Sequence, residues 1–467
     1  MNKWQRFIAI LFIVFTSFYL SGQNIFRTTC QGNLNRLDSL LSDTSIDIED
    51  NRGRSLLHWA VACKNEQAFE YLIQNGIDFN GEDNQHKNPM HIAVEYGLQK
   101  YFDKLIELQA SNKWIEKYGS SFLEIATLKK DSNFVKILID KGIDINCTNN
   151  RGSTALEISK RLNATDISEF LIKNGADSSL IRSFEMKGKL MGQNEPGNSS
   201  KMFAPNFIST EAYEFGSVFN SKETEFYFGV DVNGKTEIRF TQLLDGIWSQ
   251  PKAILTHDRF SYNDPFLSPK ENSLYFISDR ALDGISEAKR DIDIWYIERI
   301  NDQWSEPINA GPNINSSFNE YYISFTNEGT MYFSSNVSSN ENSKDQDIYY
   351  SRFIDGKFQQ AVSLGDSINT ADYEADVFVN PSEDYIIFCS TRESGFGRGD
   401  LYISFKNDQG LWTKSINMGD TINTKNHELC PFVTANGKYL FYTSNEDIYW
   451  IDTPIINELK EKVTRLK

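Results

Sequence analysis

The chain has 467 residues, of which 40% are hydrophobic, so it can bury ordinary cores and is too long for one average domain. Aromatic residues make up 13% of the chain, which favours many short strands. The formal net charge of -17 argues against nucleic acid and anionic membrane surfaces as partners, because an acidic surface repels phosphate groups.

The N-terminus has the pattern of a secretory signal. Lys3 and Arg6 precede an apolar run, Phe7 to Leu20, which is followed by small and polar residues. We therefore expect a signal peptide over residues 1–22. This pattern predicts a bacterial protein that is secreted, periplasmic or on the cell surface. It predicts no stable membrane anchor after the signal peptide is cleaved. An uncleaved anchor is the alternative, although the run is short for a bilayer.

The five cysteines are few, odd in number and widely spread. They form neither a CxxC metal motif nor a disulfide framework, and a single bridge stays open as an alternative. No metal ligand is therefore assigned from the cysteines.

Between residues 23 and 182 the sequence repeats itself every 33 residues. Two sets of equivalent positions show the period: Ser55, Asn88, Ser121 and Thr154, and Leu72, Leu105, Leu138 and Leu171. Each unit predicts two short helices with apolar residues at i, i+3 and i+4, and a glycine such as Gly142 ends the second helix. The units resemble the ankyrin repeat, as a degenerate capping repeat and four clear repeats. The resemblance implies a helical solenoid with a concave protein-binding surface.

Some positions depart from the ankyrin pattern. Gln109 replaces a turn glycine, and Glu124 and Glu157 replace a histidine that earlier repeats keep as His58 and His91. These departures predict irregular third and later repeats without loss of the fold. We interpret the two histidines as structural rather than metal-binding, because the histidine at this position ordinarily hydrogen-bonds neighbouring backbone.

Residues 183–200 lose the 33-residue period and end in a polar segment with glycine and proline, which predicts a linker. Over residues 201–452, short alternating strands recur about every 54 residues. Equivalent aromatic residues mark this period: Trp248, Trp304, Phe358 and Trp412. Each period contains four predicted strands, the content of one propeller blade. The region resembles the TolB-like, WD-type β-propellers of bacterial envelope proteins.

The ends of this region predict how the ring closes. The last unit lacks its fourth strand, and the segment near residues 198–205 can supply it, which removes two exposed sheet edges. We favour five blades, with six as the alternative, and expect a helical tail over residues 453–467. The predicted fold class is therefore multidomain, an ankyrin helical solenoid followed by an all-β propeller.

Candidate binding residues of the propeller fall on the face where innermost strands start and second strands end. Five acids precede the innermost strands: Glu214, Asp264, Glu320, Glu374 and Glu428. They suit a ligand with an amine, or Ca²⁺, which prefers oxygen ligands. The alternative is that each acid ties neighbouring blades together through hydrogen bonds. In that case the propeller holds no cofactor.

Two arginines follow second strands on the same face. Arg280 and Arg392 suit a ligand carboxylate, which a guanidinium binds through two hydrogen bonds. The alternative is an ion pair within each blade, to Asp293 and Asp400 respectively. Both readings place the arginines beside the five acids.

No catalytic residue is assigned. A Gly-x-Ser-x-Gly nucleophile motif is absent from the sequence, and His427 with Glu428 lacks a further partner for acid–base catalysis. We therefore predict an extracytoplasmic binding or scaffold protein, with a protein partner on the ankyrin repeats and an envelope glycan or protein on the propeller. The alternative is a glycan hydrolase, sialidase-like or another glycosidase, that uses two ring carboxylates.

Overall fold

The computed structural model describes most of the chain. The described residues are 25–109, 113–149, 152–162, 164–181, 186–210, 212–232, 234–301, 303–337 and 346–465. The predicted signal peptide, residues 1–22, lies outside them. The chain divides into two compact units, Met1–Ser183 and Phe184–Lys467. Within the described residues, no helix has the length and apolar character needed to cross a membrane.

The first unit is a stack of helix pairs. Its described helices are residues 25–31, α1 (Leu34–Leu41), α2 (Leu56–Ala62), α3 (Glu66–Gln74), α4 (Pro89–Glu95), α5 (Gln99–Glu107), α6 (Lys113–Leu128), α7 (Ser132–Asp140), α8 (Ala155–Arg161) and α9 (Thr165–Lys173). The leucines that recur every 33 residues are all fully buried: Leu72, Leu105, Leu138 and Leu171. Neighbouring pairs therefore share one continuous apolar core, and the predicted solenoid is confirmed.

The histidines of the early repeats are structural, as expected. Nδ1 of His58 accepts the N–H of Ser55 at 3.1 Å, and Nε2 lies 2.9 Å from the carbonyl oxygen of Lys87 in the next repeat. Nδ1 of His91 accepts the N–H of Asn88 at 3.1 Å. Burial lowers the pKa of both rings, to about 3 for His91. Both histidines are therefore neutral and hold the start of a helix.

The expected irregularity falls in the fourth pair. Its first helix, α6, has 16 residues, whereas α2, α4 and α8 have 7 each. The added turns bury Trp114, whose ring centroid lies 5.8 Å from that of Phe102. Glu124 takes over the histidine's link to the next repeat, because its Oε1 accepts the side-chain N–H of Asn149 at 2.7 Å.

Cys30 and Cys63 form a disulfide, with their Cα atoms 5.2 Å apart. The two residues are separated by 33 positions, which is one repeat period. Equivalent positions of adjacent repeats lie side by side in a solenoid, so the bridge joins the capping repeat to the first regular one. The free cysteines are Cys147, Cys389 and Cys430.

The second unit consists of five blades in a propeller-like arrangement, of which two are five-stranded sheets and three are four-stranded. Blade 1 contains β2 (Tyr213–Phe219), β3 (Glu225–Val232), β4 (Lys235–Leu244), β5 (Ile247–Trp248) and β6 (Lys252–Leu255). Blade 2 contains β7 (Tyr262–Leu267), β8 (Ser273–Ser278), β9 (Asp293–Ile300), β10 (Gln303–Trp304) and β11 (Ile308–Asn309). Blade 3 contains β12 (Glu320–Phe325), β13 (Met331–Ser335), β14 (Asp347–Ser351) and β17 (Val362–Ser363), with the hairpin β15 (Phe353–Ile354) and β16 (Lys357–Phe358).

The last two blades show how the ring closes. Blade 4 contains β18 (Glu374–Val379), β19 (Tyr385–Ser390), β20 (Asp400–Phe405) and β21 (Ile416–Asn417). Blade 5 contains β22 (Leu429–Val433), β23 (Tyr439–Ser444), β24 (Asp447–Asp452) and β1 (Lys201–Met202). β1 comes from the N-terminal side and pairs antiparallel with β24, with Lys201 opposite Trp450. Five blades and the predicted closing strand are confirmed, and the six-blade alternative is wrong.

The segment that the sequence assigns to a linker packs on the propeller: residues 186–191 lie against blade 1, and residues 195–200 contact blade 5. The backbone N–H of Trp248 donates to the carbonyl of Met186, and its indole N–H donates to that of Gly188, both at 2.8 Å. Met191 is buried in the propeller core. The polar composition of this segment does not predict such packing. The contacts with Trp248 are made by the backbone carbonyls of the segment, which any residue type can supply. After the blades, the helix α10 (Pro454–Arg465) buries Ile456 and Leu459 against the same core.

Candidate functional site

Four of the five predicted acids are buried and bonded within their own blades. Oε2 of Glu374 accepts the N–H of Thr370 at 2.7 Å, and its Oε1 accepts the hydroxyls of Thr370 at 2.8 Å and Ser390 at 2.9 Å. The same set recurs around two more acids, from Ser316 and Ser335 to Glu320 and from Thr424 and Ser444 to Glu428. Glu214 accepts the loop bonds, from Thr210. Burial raises the pKa of Glu320 to about 7.

Glu320, Glu374 and Glu428 tie the loop that enters each blade to the end of its second strand, and Glu214 bonds the entering loop at Thr210. They have exposures of 0–1% and therefore line no open cleft. A glycosidase needs two carboxyl groups that reach the scissile bond from opposite sides. These acids are therefore structural, although the hydrogen bonds of Glu320, Glu374 and Glu428 join parts of one blade rather than neighbouring blades as the alternative expected. The glycosidase hypothesis loses its proposed residues.

Asp264 does not belong to the ring of glutamates. In blade 2 the position opposite the end of the second strand is Tyr262, which pairs with Ser278 as Glu374 pairs with Ser390. Asp264 lies two residues further on, at a β-bulge with φ 51°. The same bulge with positive φ recurs in every innermost strand, at Gly216, Asp264, Tyr322, Asp376 and Cys430.

The five bulge residues converge on the propeller axis, and we call them the axial ring. Sγ of Cys430 in blade 5 lies 3.6 Å from Oδ1 of Asp264 in blade 2. The hydroxyl of Tyr322 in blade 3 donates to the carbonyl of Pro431 in blade 5 at 2.8 Å. Each contact joins blades that are not neighbours in the ring, so both cross the axis.

Burial controls the charge of the axial ring. It raises the pKa of Asp264 to about 8, with a further contribution from nearby Asp376, and it raises the pKa of Asp376 to about 7. Burial also raises the pKa of the Cys430 thiol well above its usual range. Among the described residues, no group of three or more His, Cys, Asp or Glu side chains suits a metal ion. The Ca²⁺ hypothesis therefore finds no ligand set in the described part of the chain.

The arginines bond to other partners than the two expected aspartates. Arg392 pairs with Glu374 at 3.1 Å and donates to the hydroxyl of Ser415 at 2.7 Å. Arg280 donates to the hydroxyl of Tyr262 at 3.2 Å and lies over the ring of Phe260. The predicted ion pairs to Asp293 and Asp400 are wrong, and other neighbours bond Oδ2 of each aspartate.

Asp293 and Asp400 each hold the start of a third strand. Oδ2 of Asp293 accepts from the Lys289 ammonium at 2.7 Å, and Oδ2 of Asp400 accepts from the backbone N–H of Phe396 at 2.6 Å and the side chain of Asn417 at 2.7 Å. The loop before Asp400 is therefore a packed turn.

His427 pairs with a thiol instead of acting with Glu428. Its Nε2 lies 3.3 Å from Sγ of Cys389, and burial lowers the pKa of the ring to about 4. Burial also raises the pKa of the Cys389 thiol well above its ordinary value. Reactive cysteines need an accessible thiolate. This buried, neutral pair therefore has a packing role.

The first helices of the ankyrin stack carry an ordered polar and aromatic surface. The Arg54 guanidinium lies 4.6 Å from the ring centroid of Trp59, and Oδ2 of Asp50 accepts from Arg54 at 2.7 Å and from the Trp59 indole at 3.0 Å. In the next repeat, Tyr96 follows α4 and is 54% exposed. Large interface residues of this kind dominate protein recognition.

The comparisons with known proteins agree with the α unit. Residues 25–117 match the family described as ankyrin repeats, in 3 copies. An ankyrin repeat protein of Acanthamoeba polyphaga mimivirus is 27% identical over 142 residues, which are 29% of this chain and 19% of that protein. Neurogenic locus notch homolog protein 1 of Danio rerio is 30% identical over 132 residues, 28% of this chain and 5% of that protein. The chain thus spans a minor part of these relatives, and ankyrin repeats bind protein partners in general.

The axial ring is the part of the propeller that sequence reasoning missed. Asp376 and Cys430 carry no motif, and only their offset within the repeat relates them to Asp264. The available signal was the residue type, because Gly and Asp at that offset tolerate positive φ.

Proposed function

We propose that the protein is an extracytoplasmic scaffold whose ankyrin repeats bind a protein partner and whose propeller binds a second ligand. The observation that carries the proposal is the surface of the first helices, where Tyr96 is 54% exposed although Ala93 and Val94 beside it are fully buried. An apolar ring that the core does not use is available to a partner. The side chains of Arg54 and Trp59 are already held in place on the preceding repeat, which lowers the entropy lost on binding.

Two features support a location outside the cytoplasm. The first is the signal pattern formed by Lys3, Arg6 and the apolar run Phe7 to Leu20. The second is the disulfide between Cys30 and Cys63, since such bridges persist in oxidising compartments. We further propose a bacterial envelope propeller of the TolB-like, WD type. The aspartates that open the third strands support this assignment: Asp293, Asp347, Asp400 and Asp447.

The test of the binding surface compares two alanine variants of the full chain. Tyr96→Ala removes the exposed ring after α4, and Ile172→Ala removes a side chain that is 47% exposed on α9, a second helix. We expect a partner captured from envelope extract by the wild type and by Ile172→Ala, with at least about tenfold less on Tyr96→Ala, because buried interface aromatics are frequent hot spots. Equal capture by both variants would contradict the assignment of this surface.

A further inference from the structure

A cavity of about 630 Å³ lies between blades 2 and 3. The turn that joins β7 to β8 and the turn that joins β12 to β13 both line it, so it opens on the face opposite the buried glutamates. Its volume is within the range of small-molecule sites. Tyr275, Tyr296, Phe325 and Phe358 supply most of its apolar wall.

The equivalent space between blades 1 and 2 is filled by side chains. The hydroxyl of Tyr227 donates to Oε2 of Glu225 at 2.9 Å and accepts from Arg299 at 2.6 Å. Trp304, which pairs with Arg299 in a hairpin, lies edge-on to Tyr227 with ring centroids 6.3 Å apart. A carboxylate, a cation and an indole therefore complete this junction.

The junction between blades 3 and 4 is filled by the same chemistry. The hydroxyl of Tyr332 donates to Oε1 of Glu383, which lies in the turn between β18 and β19 and pairs through its other oxygen with Lys406. Trp412 lies perpendicular to Tyr332 at 6.5 Å, and the Lys406 ammonium covers its indole at 5.1 Å. Two junctions of the ring thus surround a tyrosine with a carboxylate, a cation and a tryptophan.

Between blades 2 and 3 each of these side chains is replaced by a smaller or uncharged one. The two carboxylate positions are Ser273 at the start of β8 and Gly329 in the turn. The position of the cation is Phe353, and that of the tryptophan is Phe358, which pairs with it. Phe358 keeps the edge-on contact with Tyr275, at 6.4 Å and 84°. All four replacements line the cavity, which accounts for its existence.

Tyr227 and Tyr332 use their hydroxyls at the filled junctions, whereas the replacements leave the hydroxyl of Tyr275 without a protein partner among the described residues. Tyr275 and Tyr296 stack with their ring centroids 5.1 Å apart, and neither hydroxyl has a hydrogen bond among the described residues. Tyr275 is 9% exposed and lines the cavity, so a ligand there can supply the acceptor that the protein provides at the other two junctions. Burial raises the pKa of both hydroxyls, which therefore remain donors at neutral pH.

We propose that this cavity binds a peptide segment in which an aromatic side chain is next to a carboxylate. The segment supplies what the neighbouring junctions contain: an acceptor for the hydroxyl of Tyr275 and a flat apolar group against Phe325 and Phe358. The cavity lining includes two cations for the carboxylate, Lys270 and Lys357, together with two acids, Glu298 and Glu328. The inference deepens the propeller half of the proposed function, on which it rests, and it is independent of the ankyrin surface.

The test is calorimetric titration of the full chain with N-acetyl-Trp-Glu-amide and its Trp-Gln analogue. Gly329→Glu places in the cavity the residue that blade 4 has at this turn position. Gly329 has φ +87°, and an added Cβ meets Phe353 Cβ at 3.5 Å, an ordinary contact. The matched control is Gly437→Glu, at the same position in blade 5 with no atom within 4 Å of the added Cβ. Both glycines have positive φ, +87° at Gly329 and +69° at Gly437, so a side chain strains either turn and the control shares that cost.

We expect the wild type to bind the Glu peptide with a Kd below about 1 mM and at least about fivefold more tightly than the Gln analogue. Gly329→Glu should weaken binding at least about tenfold, and Gly437→Glu by less than about twofold. Tyr275→Phe should weaken the Glu peptide roughly tenfold, because a hydrogen bond to a charged group is lost.

Three results would overturn the proposal: no binding of either peptide, equal loss in the two glutamate variants, or binding of N-acetylglucosamine that Gly329→Glu abolishes. The last result would assign the cavity to a carbohydrate. The capture experiment with Tyr96→Ala tests partner binding by the ankyrin surface independently of the cavity. A failed titration with intact capture therefore rejects the cavity site and leaves the ankyrin half of the proposed function standing.

Discussion

Replacing Cys30 and Cys63 with serine should destabilise the ankyrin unit and leave the propeller unchanged. The disulfide closes a loop with a sequence separation of 33. The loss of chain entropy in the unfolded state corresponds to about 3.7 kcal/mol at 25 °C for a loop of this size, so we expect the free energy of unfolding to fall by about 2 to 4 kcal/mol.

The effect should be largest at the N-terminal end of the stack. Each repeat of a solenoid contacts only its neighbours, and the bridge joins the capping repeat to the first regular one. Its removal should therefore make residues 25–62 open before the rest. Leu37 and Leu57 are fully buried there, and the amides around them should lose protection from hydrogen exchange.

Urea unfolding of the full chain, followed by circular dichroism at a helix-sensitive wavelength and by hydrogen exchange, measures both effects. Cys147→Ser is the matched control, because Cys147 is a free, half-buried thiol of the same unit. We expect it to change the free energy of unfolding by less than about 1 kcal/mol.

The reasoning is refuted if the oxidised protein has more than the three free thiols of Cys147, Cys389 and Cys430. It is also refuted if the double serine variant unfolds like the Cys147→Ser control. Either result would also remove one of the two supports for an extracytoplasmic location.

Three further predictions concern buried ionisable groups. Glu374→Gln should destabilise the propeller by about 3 kcal/mol in urea unfolding, because it leaves a largely buried Arg392 without its counter-charge; Glu320→Gln, whose carboxyl pairs with no arginine, should lose less. Burial raises the pKa of Asp264 from 3.8 to about 8, so the folded state binds the extra proton and its stability falls as the pH rises from about 4 to 8. Asp264→Asn should flatten this fall, as urea midpoints across that range would reveal. Burial lowers the pKa of His91 from 6.5 to about 3, so the ankyrin unit should lose stability as the pH falls through that interval. Thermal melts of His91→Gln that keep the full pH dependence would contradict this.

Repetition made the architecture predictable. Each sequence repeat, of 33 or about 54 residues, corresponds to one structural unit that cannot bury its apolar face alone and must pack on its neighbours. The spacing of the repeats therefore predicted the solenoid, the blades and the strand missing from the last blade. The histidines also followed from sequence, because the partners of His58 and His91 lie on local backbone. Even the closing strand was visible, since an unpaired fourth-strand position required a donor from the other end of the region.

Predictions failed where partners come from distant parts of the chain. Residues 186–200 were predicted to be a linker because their partners are distant in the sequence, such as Trp248 about 60 residues away and Tyr442 still further. Arg392 pairs with Glu374 rather than with Asp400, because a backbone N–H of the turn before Asp400 already donates to the Asp400 carboxylate. The cavity beside Gly329 could not be predicted from the sequence. The absence of a side chain creates a cavity only where residues of another blade surround that position, and the fold decides which residues those are.

The sequence by itself therefore determined the two repeat folds, the order of the units and the positions of the repeating acids. Only the tertiary structure decided which of those acids are structural and which residues meet at the axis. The physical reason is the β-bulge in each innermost strand. One extra residue there reverses the side to which the following side chains point, so Asp264 joins Asp376 and Cys430 at the axis while Glu374 and its equivalents stay within their blades.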